Sequence, residues 1–213
     1  MYNTNYLSSQ IDWCENNFTV NDYIAEFVNS YSSLFISLCG FIGMYYYDKT
    51  FMLFSTLVPI GFGSYYFHSS LSEAGQMVDE LSIMISISFT VWFINTYLTR
   101  MCNYHTMLGI IIFQITSMFI YPLFNRLILF IWAFITLKYA KLFYELEPKL
   151  RSSIQFIVLL FSIAAFCWVL DYMCIPMLYP LYLHGWWHVF IGLTAYYIFK
   201  GLDKLMYDLP THI

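Results

Sequence analysis

An all-α bundle of seven transmembrane helices is what this chain of 213 residues calls for, on three observations. Hydrophobic residues make up 60% of it and charged residues only 10%, with a mean hydropathy of +0.63. So much apolar surface on so short a chain suits lipid and not water. The apolar residues gather into segments of the ~20 residues that a helix needs to cross a bilayer. Nearly all the Lys and Arg residues fall at one set of segment ends, as the positive-inside rule requires of cytosolic loops.

The segments run at about 27 to 47, 51 to 70, 79 to 99, 105 to 121, 124 to 143, 153 to 173 and 181 to 200. Lys49 marks the loop between the first two, and the polar SSLSEAGQMV stretch separates the second from the third. Arg100 follows the third. Only YPLFNR divides the fourth from the fifth, where Pro122 lacks a backbone donor and disfavours helix in the residue before it, so a tight turn is expected. Lys149 and Arg151 mark the loop after the fifth, and a Pro-containing stretch leads from the sixth into LHGWWHVF of the seventh. No linker, repeat or second domain interrupts the chain, so residues 1–213 read as a single domain with a polar N-terminal segment, 1–26. That segment lacks a positive n-region before an apolar h-region, so no cleaved signal peptide is expected and the first span serves as the targeting signal.

With seven spans, Lys49, Arg100, Lys138, Lys141, Lys149, Arg151, Lys200 and Lys204 share the side of the C-terminus, and only Arg126 lies opposite. Asp12, Glu15, Asp22, Glu26, Glu73, Asp79, Glu80 and Asp171 collect on the other side. A six-span arrangement would scramble this separation. The N-terminus is therefore placed in the lumen or outside and the C-terminus in the cytosol. With no basic patch or Lys/Arg run, nucleic acid is not an expected partner.

His184 and His188 lie four residues apart in LHGWWHVF, which stacks both imidazoles on one helix face. His68 ends the second span, Asp79 opens the third, and the histidine pair opens the seventh, so all four belong at one depth near the lumenal ends. Ser64 lies one helical turn before His68 and faces the same way. Ionisable groups among apolar helices are costly and read by default as a functional site. Three neutral nitrogen ligands with a vacant fourth position is how proteins hold a catalytic zinc. Taken singly these residues have blander readings: His68 as an interhelical hydrogen-bonding group, Ser64 as a small residue at a helix crossing, Asp79 as an interfacial carboxylate. Their convergence at one depth favours the metal site.

The segment IDWCENNFTVNDYIAEF offers oxygen donors from Asp12, Glu15, Asn17, Asn21, Asp22 and Glu26 with no Lys or Arg among them. Calcium takes 6 to 8 such oxygens, but the spacing does not match an EF-hand loop. Composition alone favours an ordinary solvated acidic terminus, in which Asp22 or Asn21 could equally cap the first helix. Cys39, Cys102 and Cys167 fall within spans or at their cytosolic ends, whereas Cys14 and Cys174 lie on the lumenal side, where oxidation is permitted.

Several of these motifs in order, DWCENN with YIAEFVNSYSSL, then GSYYFHSSLSEAGQMVDEL, CWVLDYMC and LHGWWHVFIGL, resemble the alkaline ceramidases over nearly the whole chain. Those are seven-span enzymes of a superfamily that also includes adiponectin/progestin-type receptors and GPI-remodelling lipid hydrolases. The Ser-x3-His, Asp and His-x3-His elements are shared across the superfamily; DWCExN followed by YIAEF is specific to the alkaline ceramidases. The resemblance implies zinc on His68, His184 and His188, with Ser64 and Asp79 beside the metal water. It implies calcium on Asp12, the Trp13 carbonyl, Glu15, Asn17 and Glu26, which reverses the compositional reading of the acidic segment. It also implies a Cys14 to Cys174 disulfide.

The expected function is zinc-dependent, intramembrane hydrolysis of the N-acyl bond of ceramide, giving a sphingoid base and a free fatty acid. Asp79 would act as general base and Ser64 would help to stabilise the oxyanion. Calcium would be structural. The alternative is a seven-span lipid receptor or lipid ester hydrolase of the same superfamily that retains the zinc site, and the DWCENN segment argues against a receptor. Resemblance places the protein in the endoplasmic reticulum or Golgi. Asn17-Phe-Thr19 is a formal glycosylation sequon, expected to be empty because a calcium-ligating asparagine should not be glycosylated.

Overall fold

The computed structural model describes residues 3–98, 104–120 and 123–208. The expectations placed on Arg100, Cys102, the Pro122 turn and the side chain of Arg126 fall outside what is described. The chain is helical, and among the described residues the one β-type pairing is an isolated bridge between Asn21 and Ile24.

Helix α1 (Phe27–Tyr46) buries a stripe of small residues, Ser30, Ser33, Ser37 and Gly40, at one-turn spacing. Small side chains let backbones approach closely, which is how helices associate without a hydrophobic driving force. The stripe meets the segment expected as the second span, which is not one continuous helix: α2 (Phe51–Ser55) ends and α3 (Leu57–Ser70) begins at Thr56. Pro59 explains the break, because it has no N–H to donate to the carbonyl four residues back, at Ser55. Thr56 stays in right-handed helical geometry, so α3 continues in nearly the same direction.

Leu71, at φ 45°, closes α3, and Ser72 opens α4 (Glu73–Phe93) by accepting the Gly75 N–H on its hydroxyl at 3.0 Å. Helix α4 thus starts six residues before the expected third span, and Asp79 lies in its second turn rather than at its start. A π-helical turn, Ile94–Leu98, extends α4. Helices α5 (Tyr104–Ile120), α6 (Leu123–Leu146), α7 (Arg151–Tyr172) and α8 (Leu183–Asp208) follow, with 3-10 turns at Pro148–Leu150 and Pro176–Leu181.

The long helices pack as a closed ring in chain order, α1 against α3, α3 against α4, and on to α8, which returns to α1. The α1–α3, α7–α8, α3–α4 and α1–α8 contacts are the most extensive. At one end of the ring Leu53, Phe54, Leu57, Phe93, Phe199 and Leu202 form the main apolar core. Large apolar side chains such as Tyr45, Phe113, Phe134 and Phe166 point outward, as a lipid-facing surface requires. Among the described residues three helical segments, Phe27–Tyr46, Glu73–Thr96 and Pro148–Tyr172, are long and apolar enough to cross a membrane.

At the other end the N-terminal segment is tied down. Leu7 and Ser9 donate to the Ser70 and Leu71 carbonyls, and Ala74 donates to Asn3, across the α3–α4 corner. A disulfide joins Cys14 to Cys174 just beyond α7. Cys39 and Cys167 are free and buried.

Candidate metal centre

His68 sits in the last turn of α3, and His184 and His188 in the first two turns of α8. All three are buried, at 1%, 3% and 2% exposure. Their ring centroids lie 4.9, 5.0 and 4.7 Å apart, and one candidate ligand nitrogen from each lies within 4.8 Å of the other two. They are the one such group of three or more metal-ligating side chains among the described residues.

The outer nitrogens are assigned by their partners. His68 Nδ1 meets Glu26 Oε2 at 2.5 Å, and His188 Nδ1 meets the Ser32 hydroxyl at 2.9 Å. With Nδ1 engaged on the outside, both rings turn Nε2 toward the cluster, where that of His188 meets the Ser64 hydroxyl; outer partners of this kind orient metal ligands. His184 is stacked under the Trp13 indole at 3.8 Å between centroids, and its Nδ1 is buried with no hydrogen-bond partner. Three buried imidazoles, two held by outer acceptors and one with a buried nitrogen lacking a protein partner, form a donor set that fits a metal ion.

Ser64 and Asp79 border this group. The Ser64 hydroxyl lies 3.4 Å from His188 Nε2 and faces the Asp79 carboxyl, whose Oδ1 is buried and without a hydrogen-bond partner. Gly63 permits this approach: a Cβ there would lie 3.2 Å from Val78 Cγ1 and 3.4 Å from Asp79 Cα. Gly185 does the same between α8 and α1, where a Cβ would lie 3.3 Å from Ser32 Oγ.

The five residues expected to bind calcium cluster around the start of α1. Glu15 receives the Val28 N–H at 2.7 Å and the Asn29 N–H at 2.8 Å, one on each carboxylate oxygen, and so caps the helix. Burial pushes its carboxyl above the usual range, and those two N–H groups partly offset the effect. Asn17 Nδ2 lies 3.2 Å from both oxygens of Asp12, while Asn17 Oδ1 is buried without a partner. Glu26 accepts the Trp13 N–H at 2.8 Å and the Asn29 side-chain amide at 3.0 Å besides contacting His68.

Glu26 and Trp13 thus do more than the sequence reading gave them, since one orients His68 and the other packs its ring on His184. Sequence reasoning missed Ser32, Asn29 and Asp171. The polar run NSYSS inside an apolar helix carried the signal for the first two, and the aspartate near the end of α7 for the third.

Fold and site together define a helical membrane protein built around a buried candidate metal centre. A family model described as Ceramidase matches residues 5–210. Alkaline ceramidase 1 of Mus musculus is 30% identical over 96% of this chain and 84% of its own length. Alkaline ceramidase 1 of Homo sapiens is 27% identical, over 96% and 86%. An alkaline ceramidase of Drosophila melanogaster is 29% identical, over 89% and 74%. The chain belongs to the ceramidase family.

Proposed function

We propose that this protein is a zinc-dependent intramembrane amidase that hydrolyses the N-acyl bond of ceramide to a sphingoid base and a free fatty acid. The observation that carries the reading is the buried His68, His184 and His188 group with Ser64 and Asp79 at its edge, in a chain of the ceramidase family. Zinc held by the three histidines would supply Lewis acidity toward the amide carbonyl and a more acidic water.

The protein's own groups do the rest. Asp79, with an unpartnered carboxylate oxygen, accepts the proton of the attacking water and delivers it to the departing amine. In the resting site the Ser64 hydroxyl faces the Asp79 carboxyl and keeps it turned toward the site; once Asp79 has taken the proton of the water, the one Ser64 proton turns to the oxygen on which negative charge develops. Ser32 and Glu26 hold the outer nitrogens of His188 and His68. A substrate with two long chains suits a site walled by apolar helices, since the chains occupy hydrocarbon while the amide reaches the histidines.

The ring of helices crosses the membrane seven times, with the N-terminus and the metal centre on the lumenal or outer side. Endoplasmic reticulum or Golgi is the proposed residence. Asp12, Trp13 through its carbonyl, Glu15, Asn17 and Glu26 bind a structural calcium that anchors the N-terminal segment, and the unpartnered Asn17 Oδ1 beside the Asp12 carboxylate supports this. The sequon at Asn17 accordingly stays empty. The test is release of sphingoid base from a panel of ceramides by detergent-purified protein, with metal analysis and His184→Ala as control. Zinc-dependent turnover lost in the variant is expected. Bound zinc with no ceramide cleaved would overturn the amidase reading.

A further inference from the structure

We infer that Asp171 is a positioning residue for the reaction: its buried carboxylate at the end of α7 holds both the first turn of α8 and the Cys14 link of the N-terminal segment. The inference rests on the zinc reading above and concerns how the histidines are kept at ligand spacing.

Asp171 is 8% exposed. It accepts the Cys14 N–H on Oδ2 at 3.3 Å, and its carboxylate lies against the backbone N–H of His184. His184 is the second residue of α8, so its N–H is one of those that a helix start leaves without an intrahelical partner. A carboxylate there also meets the positive end of the helix dipole. Asp171 is thus a cap for α8 supplied by the preceding helix.

Such a cap has work to do here. The connection from α7 to α8 runs through two prolines and ends at Tyr182, held at φ 47°, a left-handed conformation that a non-glycine residue adopts at a cost of about 1–3 kcal/mol. The connection alone does not set the depth or rotation of α8, and the disulfide at Cys174 ties its start to Cys14 rather than to α8.

Adjacent backbone groups complete the arrangement. The Trp13 N–H goes to Glu26, which touches His68, and the Cys14 N–H goes to Asp171, which holds His184. One dipeptide is therefore gripped by two buried carboxylates, each engaged with a different histidine-bearing helix. Through them the His68 to His184 separation, 4.9 Å between centroids, is fixed. A carboxylate accepts on either oxygen and brings the negative charge that a helix start favours. Asparagine there keeps one acceptor oxygen, turns the other position into an NH2 donor and removes the charge.

The test uses full-length detergent-purified protein and the variant Asp171→Asn. Readouts are hydrogen exchange of residues 183–188 in the metal-free protein, zinc affinity by chelator competition, and kcat and KM at saturating zinc. Expected are faster exchange confined to the start of α8, zinc affinity lower by about tenfold or more, and a fall in kcat with KM unchanged. Wild-type exchange and zinc affinity in the variant would overturn the inference, and so would exchange that rises evenly through the whole bundle. Should the amide variant not fold, Asp171→Glu keeps charge and acceptors but lengthens the side chain. Reduced zinc affinity with exchange protection kept is then expected, and wild-type affinity overturns the inference. Wild-type protein that binds no zinc would instead sink the zinc reading itself, while the exchange comparison remains interpretable without metal.

Discussion

Replacing Ser32 with alanine should weaken zinc binding by about fivefold to a hundredfold while leaving the bundle folded. The Ser32 hydroxyl lies 2.9 Å from His188 Nδ1 and 3.1 Å from the Asn29 carbonyl. A metal on His188 Nε2 requires the ring proton on Nδ1, and the Ser32 lone pair then accepts it while the hydroxyl proton goes to Asn29. Alanine would strand that N–H in a residue only 2% exposed, at a cost of about 1–3 kcal/mol. Moving the proton to Nε2 relieves the orphan but removes the ligand lone pair, so the cost falls on metal binding by either route. At about 1.4 kcal/mol per tenfold, the loss in affinity follows. The assay is chelator competition on metal-stripped protein, followed by turnover at saturating zinc, where most activity should return. Ser33→Ala is the control, because that hydroxyl serves only the Ser30 and Gly61 carbonyls, at 2.7 and 3.2 Å. A Ser32→Ala protein whose zinc affinity stays within about twofold of wild type would refute the reasoning, since outer-shell partners of metal ligands are worth more than that.

Asp79→Asn keeps the shape of the side chain but removes the proton acceptor, so kcat should fall by about 10²–10⁴-fold; metal analysis should find zinc retained. Gly61→Ala places a Cβ 2.7 Å from the Ser37 N and 2.8 Å from the Ser33 carbonyl, against backbone that cannot step aside. Forcing α1 and α3 apart should cost about 1–3 kcal/mol, read as a lower denaturation midpoint in detergent, with turnover falling in parallel. Calcium chelation should lower turnover without releasing zinc, and Asp12→Ala should make the protein insensitive to added calcium. Turnover indifferent to calcium in wild-type protein with all five proposed ligands intact would remove the calcium site from this picture.

Much of the centre was legible because it follows from periodicity and alternation. Four-residue spacing puts His184 and His188 on one face, and antiparallel alternation puts the end of α3 beside the starts of α4 and α8. His68 and Asp79 are brought together by that alternation, and Ser64 by lying one turn from His68. The start of α4 was misplaced because hydropathy rewards apolar residues, whereas the helix begins where Ser72 caps it, within a polar stretch. The break at Thr56 was encoded in Pro59 but is masked by the unbroken apolar run around it. Ser32 and Asp171 stand out locally only as polar residues in apolar surroundings: their partners His188 and Cys14 lie 156 and 157 positions away, and no local pattern announces such a pairing.

The same alternation explains why so many carboxylates gather at this end of the bundle. Helices α1, α4 and α8 all begin here, and their unsatisfied N–H groups and positive dipole ends converge on one side. Glu15 caps α1 and Asp171 caps α8, so both acids offset charge that the helices themselves create. Glu26, at the edge of α1, is free of that duty and can face His68. Two outer partners of the candidate metal centre, Glu26 and Asp171, are therefore groups that the fold already needs as a tie to the N-terminal segment or as a cap. That economy has a consequence for how the site fails. A change in the acidic segment alters the orientation of His68 or His184 before it alters the ring of helices, so damage there should be read first in metal affinity and only later in stability.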